Sequence, residues 1–540
     1  VFIIDPIKFG NPAFNRPTVA TYFDGVGALQ NAAIDEFRIT YDPKDLTSGP
    51  IALVEKAATN AIRNNTMQGA VVGIPGLSPN NWAINTASGI NRQIVSITSE
   101  DGIDCIDVRF FGTATAATQL YMQFEGNTVT AASLGQQWVH SVFARVVAGA
   151  LPGNLRVTVD QFTNGGGFII GGPETNNVPT NASLKGQRYS CTIPAISDAT
   201  TAFIRPVAYV PVSSGQVVDV TLRIGLPQLE QGKDATSPIR NSGVALTRAA
   251  DVVGSGAALL YSNVSMTEAA YSATATYAAA DVVRDPATND LYESVGANNV
   301  GNALSDKAKW VPRGATNRWK MLDQYNNTQS QNADQIVLVL SPGAIAQGIF
   351  LAGLDAMEVS MVMQDPVEGI VYRETQSQVL SNSRSSYFNW IFKRILRKSY
   401  CVSVLLPPYW GALVTVVIKN LGSTAKCGMF ALGPIVDVGL SEYGLSTEIK
   451  DYSSTTFEFD GTSTTVVRDF AKRMSVDLVI KNEYIDSVQE ALANYRQKPV
   501  VWVGTVLYGS AIVFGRYSSF KNIIEGLLQS KMAMQIDGTV

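Results

Sequence analysis

The chain holds one histidine, His140, in GQQWVHSVFARV. A Ser–His–Asp or Cys–His hydrolase would have to use it as its base. Alternation puts Trp138, His140 and Val142 on one face of a strand, which suits a structural or surface histidine. No G-x-S-x-G elbow accompanies it. Cys105, Cys191, Cys401 and Cys427 lie far apart without a C-x-x-C, so they read as buried free thiols. With one histidine and no cysteine cluster, a zinc site is not expected. Glycoside hydrolysis needs two carboxylates facing across a sugar, roughly 5–9.5 Å apart. Asp355 with Glu358 and Asp365 with Glu368 could supply them, but they read equally well as solvated turn residues. TNGGGFIIGGPET (163–175) lacks the G-K-[ST] of a phosphate loop and reads as a long mobile hairpin loop. No catalytic, cofactor-binding or metal-binding residue is assigned, no cofactor is expected, and the chain is expected not to be an enzyme.

Binding residues are easier to find. Tyr277, Tyr292 and Trp310 fall in a short β-like stretch, 266–315. They form either the core of a unit too small to have much else inside or a platform on which sugar rings stack. Pro408, Tyr409, Trp410 and Gly411 make a second aromatic turn, read as packing. FKRILRKSY (392–400) carries Lys393, Arg394, Arg397 and Lys398. If helical, it opposes these charges to an apolar stripe of Phe392, Ile395, Leu396 and Tyr400. It is then a solvated face or a contact to an acidic partner subunit. Nucleic acid is disfavoured, because no wider basic field or aromatic interleaving supports it.

Strands must position these residues. Alternating or β-branched runs occur at 94–98, 155–160, 217–224, 335–340, 413–419, 476–480 and 500–508. Forty-five glycines and 23 prolines punctuate them, with turn chemistry at 164–167, 289–292 and 460–461. VVWVGTVLYGSAIVFG (500–515) reads as two strands and a turn rather than a membrane span, so no membrane insertion is expected. No secretory leader is read at the start. DSVQEALANYRQKP, from Asp486, spaces Val488, Ala491, Leu492 and Tyr495 as one helical stripe. Asp486 and Gln489 there could form a capping box. Segment 51–65 permits either a helix or a strand. The expected fold is mainly β: jelly-roll or sandwich modules with a few short helices. Polar tracts divide the chain into 1–265, an N-terminal sandwich with a closing strap, 266–315, a small β module, and 316–540, a C-terminal sandwich with one helix near 486–496. Charged residues are only 16% of the chain, and the 41 basic and 45 acidic residues leave a net charge of −4. Such a surface is rich in Ser, Thr, Asn, Gln and Gly, and it offers no global field for nucleic acid or anionic membrane.

Three separated segments, ATYFDGVGALQNAAIDEFRITYDP (20–43), LVEKAATNAIRNN (53–65) and PQLEQGKDATSPIRNSGVALTRAADVV (227–253), resemble a module of tailed-bacteriophage structural proteins. Lys56 and the SPIR stretch depart from its usual form. The resemblance implies a jelly roll whose last strand is followed by a strap that runs back along the sandwich. The exposure cost of Val244, Leu246, Val252 and Val253 points the same way. Segments within 316–540, among them NRWKMLD, PPYWGALVTVVIKN, CGMFALG and VVRDFAKR, also resemble phage tail modules. YSATATYAAADVVRDPATNDLYES…KAKWVPRG (271–314) is similar to chitin-binding-type carbohydrate modules, with Ala280 where glycine is usual.

These resemblances imply a virion structural protein: a tail fibre, appendage, collar or baseplate part, or alternatively a head decoration or spike. It would be assembled in the host cytoplasm as a trimer or ring of its own copies, beside other tail proteins. Host surface polysaccharide is a further expected partner. A glycan-binding receptor protein and, less favoured, a capsule depolymerase are the alternatives.

Overall fold

The computed structural model describes residues 1–540 except 173, 181, 324, 326, 380–385, 393–395, 458, 469, 525 and 540. It is mainly β and divides into two units, one of residues 14–253 and one of residues 1–13 with 254–540.

In the first unit the principal strands are, in chain order, Ile103–Thr113, Thr118–Gln123, Trp138–Gly149, Leu155–Thr163, Phe168–Gly171, Arg188–Thr192, Thr201–Val212 and Val217–Gln231. Counted along the chain, the first, eighth, third and sixth lie side by side in one antiparallel sheet, and the second, seventh, fourth and fifth in the other. That is the jelly-roll order of two nested Greek keys. Inward residues such as Val108, Phe110, Val142, Val157, Ile204 and Leu222 fill the space between the sheets. The apolar-polar alternation read from the sequence is this inner face.

The strap packs as expected, but not through the residues the hydrophobic argument chose. Val244, Leu246 and Val252 are exposed. The anchors are polar. Leu246–Arg248 pairs with Ala58–Asn60, and Val252–Val253 with Phe14–Asn15. Segment 51–65 is accordingly strand and turn, not helix. Three buried amides fasten the strap to it. Asn241 Nδ2 donates to the carbonyls of Asn60 (2.9 Å) and Ile62 (2.7 Å). Asn60 and Asn65 both donate to the Ile239 carbonyl.

Beneath lies a layer of buried charge. Asp251 accepts from Arg16 at 3.1 Å and from Arg38 at 2.5 Å, and all three side chains are fully buried. Glu55 is bridged by Arg38 at 2.9 Å and by Arg248, and it also accepts from the Ser237 amide and hydroxyl at 2.7 Å each. Burial alone would raise the Glu55 pKa, but Arg248, Arg38 and Ser237 hold it below the usual carboxylate range.

The second unit is layered. Ala258–Ser262, Ser330–Ser341, Leu413–Cys427, Glu358–Asp365 and Gly369–Ser377 form one antiparallel sheet. Tyr400–Ser403, Gly348–Ala352 and Met429–Gly433 form a three-stranded sheet. The latter is covered on both faces. Ile349, Leu351, Cys401 and Leu432 pack against the first sheet, and Phe350, Val402, Met429 and Ala431 against a third. Its strands therefore read as unbroken apolar runs rather than alternating ones.

The third sheet runs Ile435–Asp437, Phe2–Ile4, Val500–Val503, Ile512–Ile523, Gln529–Gly538, Phe470–Lys481, with Leu440–Ser441 and Ser446–Asp451 on the last strand. Helix Ile485–Asn494 closes its other face through Ile485, Val488 and Leu492. The helix is where the stripe places it, but its N-cap is Tyr484, without a side-chain bond. A 3₁₀ turn, Asn482–Tyr484, carries the chain into the helix, so Asp486 lies inside the first turn and no capping box forms.

The expected boundary at 265 moves to 253, and residues 1–13 leave the N-terminal module altogether. Phe2–Ile4 pairs on both sides within the third sheet, with Ile3 and Ile4 fully buried. The three-stranded sheet of 266–315 belongs to this unit too, tied to the N-terminal segment by Asn289 Nδ2 donating to Asn11 Oδ1 at 2.8 Å.

Removing Asp251 would leave the buried Arg16 guanidinium without a carboxylate and Arg38 with Glu55 alone, which costs about 3–5 kcal/mol. In calorimetry of the full chain, Asp251→Ala is expected to lower the transition of the 14–253 unit by about 10 °C. Val244→Ser and Val252→Ser should stay within about 0.5 kcal/mol of the parent.

Candidate functional site

Asp290–Ser294 is the middle strand of the small module, between Val282–Arg284 and Trp310–Ala315. Trp310 is only 1% exposed. Tyr271 and Tyr277 meet it edge-on at 5.8 and 5.3 Å and stack on each other at 6.0 Å. Its indole donates to the Asn302 carbonyl at 3.2 Å. Trp310 is therefore core, not a sugar platform, because a unit this small has to build its interior from rings. Tyr277 is half-buried in the same cluster, its hydroxyl held by the Ser272 backbone. Tyr292 is half-exposed, between Val283 and Pro312 in register. Ala280 sits at φ 67°, a left-handed conformation that explains why glycine is usual there.

In the basic stretch, Lys393 and Arg394 lie outside the described residues. The helix is Tyr387–Phe392, so the expected stripe through Leu396 and Tyr400 does not form. Arg397 instead makes an ion pair with Asp355 at 3.0 Å and donates to Asn420 at 3.0 Å. The Lys398 backbone amide donates to the Gln378 carbonyl at 2.7 Å. Arg397 is thus engaged within its own unit while remaining exposed.

The residues weighed for catalysis are structural in their contacts. His140 is fully buried, with Nδ1 3.1 Å from the Thr158 carbonyl and its ring 5.3 Å from Phe124. Burial pushes its pKa down to about 3, so it is neutral at physiological pH. All four cysteines are buried. Burial pushes the Cys105, Cys401 and Cys427 thiols up to about 12. Asp355 pairs with Arg397 and Glu358 with Lys419 at 3.3 Å. Asp365 accepts from the amides of Val367 and Glu368 and closes the turn after its own strand. The glycine-rich segment is not a long loop. Thr163 and Gly167 close a short turn with a 2.9 Å bond, and Phe168–Gly171 continues as strand. Among the described residues no cluster of three or more His, Cys, Asp or Glu could hold a metal.

What sequence reading missed is a β-arm. Ser446–Asp451 pairs with the start of Phe470–Lys481, and beyond it Ser454–Phe457 pairs with Ser463–Val466 as a separate two-stranded ribbon. Every residue of those last two strands is exposed. Phe457 is 76% exposed, and Phe459, in the turn that follows it, is open too. The signal was present as STTF and STTV on either side of Asp460–Gly461, a hairpin dipeptide between β-formers. The 407–411 turn also departs from expectation: Tyr409 packs on the core, but Trp410 is exposed.

No protein-family model matches the sequence, and no curated protein matches it. Among solved structures, one match is an arabinose-bound GH51 α-L-arabinofuranosidase, at 11% identity over 40% of this chain and 32% of that one, TM-score 0.25. Another is the enzymatically active domain of tailspike protein 4 of bacteriophage CBA120, at 9% identity over 28% and 20%, TM-score 0.18. A third is the tandem CBM22 domain of Paenibacillus barcinonensis Xyn10C, at 9% identity over 67% and 98%, TM-score 0.19. The chain spans about a third or less of the first two structures. Likeness this slight carries no conclusion about activity.

Because His140 is held neutral, the unfolded chain binds a proton below about pH 6.5 that the folded chain refuses until about pH 3. Stability should therefore fall as pH drops through this window. Glu55, with its depressed pKa, adds a loss only below the ordinary carboxylate range near pH 4.5. Melting temperatures taken from pH 7 to 5 are expected to decline less steeply in His140→Leu than in the parent. Equal slopes would contradict a buried neutral imidazole.

Proposed function

We propose that this chain is a non-catalytic structural component of a tailed-phage virion, a tail appendage, fibre, collar or baseplate part, that works by assembling with copies of itself. The observation that carries this reading is the β-arm. A lone two-stranded ribbon is marginal in water, and this one displays Phe457, Phe459 and Val466, each more than half exposed among the described residues. Its free strand edges and the exposed rings of Phe457 and Phe459 near its tip fit a second copy of the chain, in line with the closed symmetry most oligomers adopt. The low charge of the sequence and its three phage-like segments support the virion setting, and with it assembly in the host cytoplasm beside other tail proteins. The closed packing around His140 and the cysteines favours a non-enzyme. Tyr292, half-exposed on the small module, favours a secondary role in holding host surface glycan.

Native mass spectrometry of the full chain at about 10 μM is the direct measurement. The parent is expected to be a closed oligomer, with contacts burying on the order of 2,000 Å² or more. Phe457→Ser with Phe459→Ser should shift it to monomer with an unchanged far-UV circular dichroism spectrum, since both side chains are exposed in the single chain. A monomeric parent, or an oligomer indifferent to these changes, would remove the arm as the assembly element.

A further inference from the structure

The second unit contains a cleft of about 440 Å³ that the assembly reading leaves unused. Its walls come from the three-stranded sheet, through Phe350 and Tyr400, and from the third sheet, through Phe470, Lys472, Phe514 and Thr539. Its position follows from sheet size. The three-stranded sheet packs on Phe2–Ile4, Val500–Val503 and the start of Ile512–Ile523. Where that cover ends, strands Gln529–Gly538 and Phe470–Lys481 run on and a trough opens. Gly509 lets the Tyr400 ring lie against the backbone, since a Cβ there would come within 2.0 Å of it.

The chemistry of the trough is mixed in a specific way. Tyr400 and Phe470 offer ring faces, and Phe470 is 55% exposed. Asn327, Ser399 and Thr539 contribute polar groups at the rim. Lys472 brings one cation. Its amine donates to the Gly509 carbonyl at 2.9 Å, while the nearby carboxylates of Asp537 and Glu448 pair with its neighbour Arg473. The residue as a whole is exposed, yet partial burial of the amine holds its pKa below the usual lysine value. A cation kept from full hydration, with no carboxylate of the described residues paired to it, is a ready anion partner. Ring faces beside it select a ligand with an apolar C–H face, and hydroxyl and amide groups around it select a polyhydroxy one.

We infer that this cleft binds an acidic sugar residue, with Lys472 meeting the carboxylate and Tyr400 and Phe470 flanking the ring. The inference deepens the glycan reading but moves its site away from Tyr292, and it holds whether or not the chain assembles. Saturation-transfer NMR and calorimetric titration of the full chain test it, with tetragalacturonate and a sialic acid tetramer as probes and their methyl esters as neutral controls. At least one acid should bind, and its ester about ten-fold more weakly. Lys472→Gln should weaken the acid about ten-fold while leaving the ester unchanged. Phe470→Ala should weaken both, and Tyr292→Ala neither. Both Lys472 and Phe470 are exposed residues, so unchanged melting temperatures verify folding. Binding of neither acid, equal binding of acid and ester, or indifference to Lys472→Gln would overturn the proposal. Loss in Tyr292→Ala alone would return the glycan site to the small module.

Discussion

The jelly-roll unit depends on a buried layer of guanidinium and carboxylate groups. Asp251 and Glu55 lie among Arg16, Arg38 and Arg248, three cations against two anions, with almost no access to water. Such a layer contributes little net stability compared with apolar residues of the same volume. What it supplies is register. Each guanidinium is a planar fork with fixed donors. Arg16 also donates to the Thr18 and Ala33 carbonyls, Arg38 to Thr21 and Arg248 to Lys56. A strap shifted by one residue would move Arg248 and Asp251 out of reach together and leave several buried charges unmatched. Polar pairing thus fixes the path of chain segments that have too little regular strand structure to fix it themselves.

This explains why the fold was legible in the sequence while the reason for it was not. Arg38, Glu55, Arg248 and Asp251 all lie in the segments that carry the resemblance to phage modules. Those motifs mark a structural lock rather than a binding surface. Hydropathy pointed instead to Val244 and Val252, which are exposed. The strands of the sandwich could be read because alternation is local. The helix Ile485–Asn494 could be read from its stripe, but not its start, since a preceding 3₁₀ turn leaves no cap signature. The strand Phe2–Ile4 could not be placed at all. Its partners, Ile435–Asp437 and Val500–Val503, lie hundreds of residues away, and three apolar residues say nothing about which edge they join.

Burial also decided the candidate sites in ways that residue type does not announce. Trp310 and Tyr292 are similar as sequence features, yet one is the centre of a three-ring core and the other half-exposed. Arg397 reads as one of four neighbouring cations, but a carboxylate from a distant turn claims it. Composition sets the number of aromatic and charged groups, whereas their availability is set by long-range packing that no local window contains.

In the second unit, the β-arm and the cleft have one origin. A sheet covered along its whole width would leave neither. Here the three-stranded sheet meets only the strands around Phe2–Ile4 and Val500–Val503, and the far strands of the third sheet extend past it. An uncovered sheet face must be wetted, shielded or used. At the border it becomes a trough lined by rings and a partly desolvated amine. Beyond it, the chain leaves the sheet as a ribbon of Ser, Thr and Val whose pairing is regular but whose faces are bare. Threonine and serine suit such a ribbon. They favour extended backbone and remain compatible with water. The mismatch in sheet width is what leaves both the trough and the arm outside the cover of the three-stranded sheet.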